Sequence, residues 1–153
     1  MKESKKDILD KIAKQSKKDT KFESLILNRA LQRLDNDENF DVVDKFGYTA
    51  DHKRLVYILG DDETVTIEEG VEVIGEMAAT KKRNLKMLNF PSTLRKIEKD
   101  AFTDCDGLTQ ISIPSSVEEI EAYAFGDCDS LKSVFFEQLP TQVNRKAFAE
   151  CDH

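Results

Sequence analysis

A chain of 153 residues with 39% apolar residues is long enough for one domain with a real core, and wholesale disorder is excluded. No run approaches the roughly 18 consecutive apolar residues of a membrane span. The net charge of -7 is uneven: residues 1–21 carry eight Lys against four acids, so once that +4 is set aside the remainder holds -11. Such an acidic body disfavours direct nucleic-acid binding, because phosphate recognition relies on clustered Lys and Arg.

In chain order, residues 4–18 place Ile8, Leu9 and Ile12 on one side of a Lys-rich helix. Residues 20–35 place Phe22, Leu25, Ile26, Leu27, Leu31 and Leu34 on the apolar side of a second helix, and Asp35–Asn39 reads as a helix stop. The spacing predicts a helical cap over residues 1–45 that covers the open end of the downstream segment, in preference to a separately acting helical segment. Its lysines (Lys2, Lys5, Lys6, Lys11, Lys14, Lys17, Lys18 and Lys21) could touch nucleic acid or anionic lipid. Interspersed acids and a thin apolar stripe favour a solvated face instead. The start also lacks the apolar run of a secretory signal, and three cysteines without CxxC spacing suit reduced thiols, so a cytoplasmic location is expected.

Residues 46–59 predict a β-hairpin, with Phe46 and Tyr48 facing Leu55, Tyr57 and Leu59 across a turn holding Asp51 and His52. It is expected to extend the sheet of the residues beyond it.

From there a pattern recurs every 23 residues: Leu85, Leu108 and Leu131; Leu88, Ile111 and Val134; Phe90, Ile113 and Phe136; Ile97, Ile120 and Val143. The pairs Ala101-Phe102, Ala124-Phe125 and Ala147-Phe148 and the thiols Cys105, Cys128 and Cys151 keep the same spacing. A degenerate copy precedes them, through Val65, Ile67, Val71, Ile74 and Ala78, with Ala79 in the Phe place and Lys82 in the Cys place. Each block predicts one strand, near 87–90, 110–113 and 133–136; stacked about 4.8 Å apart, such strands bury a shared core that one block could not.

The pattern L-x-x-I-x-I-P-x-x-V-x-x-I-x-x-x-A-F-x-x-C, over residues 64–153, resembles the BspA-like class of leucine-rich repeats. The expected fold is therefore an α+β repeat solenoid: a short leucine-rich-repeat array of about four coils, spanning 46–153 with its hairpin, behind the helical cap of 1–45. The last block departs, with Glu137 in place of Pro91 and Pro114, and Pro140 in place of Leu94 and Val117, which predicts a reshaped turn.

Few residues could carry catalysis. His52 sits in a turn, His153 ends the sequence, and no GxSxG, GxGxxG, P-loop or HExxH is present, so no enzyme activity and no cofactor is expected. The cysteine ladder could approach metal-binding distances, but buried Cys more often acts as a small hydrophobe, and the resemblance implies a structural inward thiol. Acids flank each Cys (Asp104 and Asp106, Asp127 and Asp129, Glu150 and Asp152), forming a ridge that could hold Ca²⁺ or imitate nucleic-acid charge. The simpler expectation is that Asp serves the turns there.

Strand alternation sends Thr64, Thr66, Met87, Asn89, Gln110, Ser112, Ser133 and Phe135 outward. The resemblance implies that this strand face is the docking surface, with Phe135 as an anchor. The expected role is a non-catalytic module that binds a protein partner there. The alternatives are a small acidic regulator that blocks a nucleic-acid-binding protein, and a cell-surface adhesion fragment. An uncovered last coil would expose Phe136, Val143 and Phe148, so self-association through that end or a longer natural array is also expected.

Overall fold

The structure, a computed structural model, describes residues 40–43 and 45–151. Strands β1 (Phe40–Val43), β2 (Phe46–Thr49) and β3 (Arg54–Ile58) form an antiparallel meander. Four coils come next, each with two short strands: β4 (Thr64–Thr66) and β5 (Val73–Ile74); β6 (Met87–Asn89) and β7 (Lys96–Ile97); β8 (Gln110–Ile113) and β9 (Glu119–Ile120); β10 (Ser133–Phe136) and β11 (Gln142–Val143). Equivalent residues pair in parallel at the 23-residue offset, as in Val65 with Leu88 and Ile97 with Ile120.

The helical cap expected over residues 1–45 lies, for residues 1–39, outside the described residues. Residues 40–43, assigned to its end, are instead strand β1, a Phe-Asp-Val-Val segment of high β propensity paired with β2. Among the described residues there is no helix, so the architecture seen there is an all-β solenoid rather than α+β.

The hairpin turn falls where expected, but the facing differs. Tyr48 does lie opposite Leu55, whereas Phe46 pairs with Ile58 and Gly47 with Tyr57, because the register shifts between Gly47 and Tyr48. Gly47 is also obligatory for space: a Cβ there would lie 2.1 Å from the Tyr57 ring.

The single strand expected per block is half of the arrangement. The anticipated strands, β4, β6, β8 and β10, form two separate two-stranded ladders, β4–β6 and β8–β10, instead of one continuous sheet. The second strand of each coil joins the larger, seven-stranded sheet, ordered β1-β2-β3-β5-β7-β9-β11. The hairpin therefore extends this second sheet, through β3 and β5.

Between the two strand sides, the coils are tied by backbone bonds: Ala79 N–H to the Ala101 carbonyl (2.8 Å), Phe102 to Ala124 (2.7 Å) and Phe125 to Ala147 (2.8 Å). These turns use the left-handed region at Met77, Asp100 and Tyr123, and again at Lys81, Asp104, Asp127 and Glu150, each series spaced by 23 residues. Asp is among the residues that tolerate this conformation best, which accounts for several acids beside the cysteines.

The core is a set of ladders. Phe102 and Phe125 are fully buried and stack at 5.2 Å, and Phe125 stacks on Phe148 at 5.4 Å. Leu85, Leu108, Ile97, Ile120, Ile74 and Ile113 are among the other large side chains wholly buried in it. In the last coil Val134, Phe136, Val143 and Phe148 are only half-buried. Its turn is reshaped, because Pro140 lacks the N–H that Leu94 and Val117 donate to the Pro91 and Pro114 carbonyls. Glu137 takes a different part, accepting the Ser115 amide at 2.8 Å.

The sheet side is also pinned by charge. Arg54 of β3 reaches across to grip Glu98 in a two-pronged pair at 2.5 and 3.1 Å, while Glu98 also accepts the Glu76 amide. Burial pushes the Glu98 carboxyl up, but the Arg54 guanidinium, the Glu76 amide and the Lys96 charge together outweigh it, and the net direction is below the ordinary 4.5. A depressed folded value means the contribution is present above pH 4.5 and is lost as pH falls through that lower value. Glu98→Gln should cost about 1–3 kcal/mol at pH 7, with the difference from wild type shrinking in acid. Urea melts at pH 7 and pH 3 measure both.

Candidate functional site

The eight residues expected to face outward do so. Strands β4 and β6 run exposed-buried-exposed, β8 continues the alternation, and β10 keeps it with half-buried inward residues. They form two rows across the coils, Thr64-Met87-Gln110-Ser133 and Thr66-Asn89-Ser112-Phe135. Asn89 Nδ2 donates to Thr66 Oγ1 at 3.1 Å, bracing two rungs. Met87 and Phe135 are 58% and 62% exposed, the two apolar points on this face. None of the eight is charged, although 35% of the chain is. Leu139, in the reshaped turn of the last coil, is a further exposed apolar side chain.

The opposite sheet carries a feature that the sequence reading missed. A shallow groove of about 450 Å³ is lined by Glu72, Arg95, Lys96, Glu118, Glu119 and Gln142, among others. Within it Arg95 pairs with Glu118 at 3.0 Å and Lys96 with Glu119 at 3.6 Å, while Lys96 also reaches Glu121, beside the groove, at 3.5 Å. The signal was the sign alternation Glu72, Arg95, Glu118 at the repeat spacing.

The cysteines point inward and each thiol donates to a carbonyl of the preceding coil: Cys105 to Ala79 (3.3 Å), Cys128 to Phe102 (3.2 Å) and Cys151 to Phe125 (3.1 Å). Lys82, in the Cys place of the first coil, donates to the Gly60 carbonyl at 2.6 Å. The ladder thus serves the backbone. The neighbouring Cys105 and burial push the Cys128 thiol far up, so it stays protonated and unreactive. In the native protein Cys151, half-buried, should react with a thiol reagent well before Cys105 and Cys128, which should require unfolding. Time-resolved Ellman labelling with and without denaturant checks this.

The acids beside the cysteines fall into two rows. Asp104, Asp127 and Glu150 occupy left-handed turn positions, and the Asp104 and Asp127 amides bond the Gly126 and Ala149 carbonyls. Asp106 lies 3.6 Å from Arg83, Asp129 is exposed, and Asp152 lies outside the described residues. Burial, then the charges of Asp129 and Asp104, push the Asp106 carboxyl up, so these acids do gather on one edge. No group of three or more His, Cys, Asp or Glu fit to hold a metal occurs among the described residues. His52 occupies the hairpin turn, with both ring nitrogens engaged by carboxylates, Asp41 and Glu68.

The repeat register, the paired coils and the inward Cys and Phe ladders agree with a match of residues 61–153 to the family described as BspA type leucine rich repeat region (6 copies). The chain belongs to the BspA-type leucine-rich-repeat family. Among solved structures, the array is similar to the leucine rich repeat protein of T. pallidum, at 22% identity and a TM-score of 0.54, covering 75% of this chain and 66% of that one. It also matches the pneumococcal vaccine antigen PcpA (20% identity, TM-score 0.49, covering 65% and 31%) and a leucine-rich repeat protein of Bacteroides capillosus (20%, 0.48, covering 65% and 99%). The chain thus spans just under two thirds of the first of these and about a third of the second. The T. pallidum likeness shows the fold. No curated protein sequence matches. Repeats of the BspA type commonly mediate protein interactions and are generally recognition modules rather than enzymes. Among the described residues no helix is long and apolar enough to cross a membrane.

Proposed function

We propose that this BspA-type array is a non-catalytic recognition module that docks a protein partner on the strand face of β4, β6, β8 and β10. The observation that carries the reading is the charge-free, exposed pair of rows ending in Phe135, on a molecule whose other surfaces are rich in ion pairs. Interfaces gather binding energy at a few aromatic anchors, and their centres are depleted of charge. Backbone ladders hold the rows within each of the two strand pairs, and the shared core joins the pairs, so little order has to be acquired on docking. Surface plasmon resonance of a captured partner against wild type and a Phe135→Ala/Gln110→Glu variant tests it. Unchanged binding by a folded variant would remove the strand face from the interface.

A second reading, a small acidic regulator that occupies a nucleic-acid-binding groove, draws support from the gathering of Asp104, Asp106 and Asp129 on one edge. It requires steep salt dependence and loss of binding when those acids are neutralised. The adhesion reading requires export, whereas cytoplasmic residence, which we favour, draws support from thiols engaged as donors to carbonyls instead of in disulfides. Fractionation of native cells separates the two. Self-association through the last coil would use the half-buried Val134, Phe136, Val143 and Phe148. Sedimentation velocity across a concentration series measures it.

A further inference from the structure

His52 closes the hairpin turn in the left-handed region (φ 60°), its amide donating to the Thr49 carbonyl at 2.9 Å. Its ring stacks on Tyr48 with centroids 4.5 Å apart. Nε2 lies 2.7 Å from Asp41 Oδ2 and Nδ1 lies 2.9 Å from Glu68 Oε1. The three residues come from three places: Asp41 from β1, His52 from the hairpin, Glu68 from the first coil just beyond β4. Ionised carboxylates only accept hydrogen bonds. A neutral imidazole has one N–H and can satisfy one of them, whereas the imidazolium donates to both.

We propose that His52 is a proton-operated clasp: charged, it fastens β1 and the hairpin turn to the first coil, and on losing its proton it lets one of the two carboxylates go. Both carboxylates hold the imidazole above its ordinary 6.5, first Asp41, then Glu68. The other charged groups at the turn point elsewhere. Asp51 accepts from the Thr49 hydroxyl and the Lys53 amide, and Lys53 Nζ lies 4.0 Å from Glu72. The Tyr48 hydroxyl is pushed up by burial and by Glu68 and stays neutral. A raised folded value means that the clasp is fully present below pH 6.5 and is lost as pH rises through that higher value. Since β1 is the edge strand of the seven-stranded sheet among the described residues, opening the clasp loosens that edge and begins to uncover β2.

The full chain carrying His153→Gln has His52 as its single imidazole, so NMR of the ring gives its titration directly. Hydrogen exchange of the β1 and β2 amides, normalised to intrinsic rates, is followed over the same pH range. We expect a midpoint above 6.5 and a roughly three- to tenfold fall in β1 protection through that midpoint, the size of one charge-assisted bond near the surface, while β9 stays protected. Glu68→Gln, which keeps the size of the side chain at an exposed site, should lower the midpoint and carry the protection change with it. A midpoint at or below 6.5, or β1 protection that is flat through it, overturns the clasp.

Discussion

Replacing Phe125 by alanine should lower stability by about 3–5 kcal/mol, the cost of a large cavity in a close-packed core. Phe125 is wholly buried and stacks on both Phe102 and Phe148, so its loss removes two ring contacts and breaks the aromatic ladder at its centre. In a repeat array, stability is approximately a sum of coil and coil–coil terms. The last coil should therefore detach first, and the denaturant transition should broaden or split. Against a typical total of about 5–15 kcal/mol, the variant will be marginal. Phe148→Ala, at a half-buried ring, should cost distinctly less. Urea titrations by far-UV circular dichroism measure both.

The second large effect is on binding. Phe135 and Gln110 are exposed and lie on the two outward rows, so Phe135→Ala with Gln110→Glu should leave folding stability within about 0.5 kcal/mol of wild type. Partner affinity should fall about 30-fold or more, because removing an interfacial aromatic anchor typically costs about 2 kcal/mol or more and the new carboxylate must be desolvated. The two readouts separate an interface from a scaffold: a purely structural role for this face would move stability and binding together.

The repeat was legible because its determinants are single side chains at fixed offsets. Leu, Ile and Phe ladders need similar residue types at the same place in successive coils, and Cys recurs in the last three because each thiol meets the equivalent carbonyl of the coil before it. Outward alternation on β4, β6, β8 and β10 came from the two-residue strand period alone.

The second strand side was hidden because β5, β7, β9 and β11 are two residues long, too short for alternation to register. Its inward register of Ile74, Ile97, Ile120 and Val143 was read, but a single apolar position per coil does not tell a strand from a turn, and the pairing itself is made by backbone bonds between coils. The left-handed turns were partly visible in Asp100, Asp104 and Asp127, but Met77 and Tyr123 occupy the same geometry without a sequence signal. Strand β1 was absorbed into the expected helical cap because the cap was bounded at residue 45, where the hairpin begins, and residues 40–43 beyond the helix stop were given no element of their own. Its Phe-x-Val-Val segment was the available clue. The His52 contacts span 11 and 16 residues and could not be inferred from spacing.

The measurement that bears most directly on the strand-face proposal is partner capture by three folded forms: wild type, Phe135→Ala/Gln110→Glu, and a chain with Asp104, Asp106, Asp127 and Asp129 changed to Asn. Asparagine tolerates the left-handed turns of Asp104 and Asp127, so the last variant keeps its backbone. The proposal predicts a partner held by wild type and by the Asn variant and lost by the strand-face variant. A partner kept by the strand-face variant and lost by the Asn variant would contradict it and place recognition on the acidic edge.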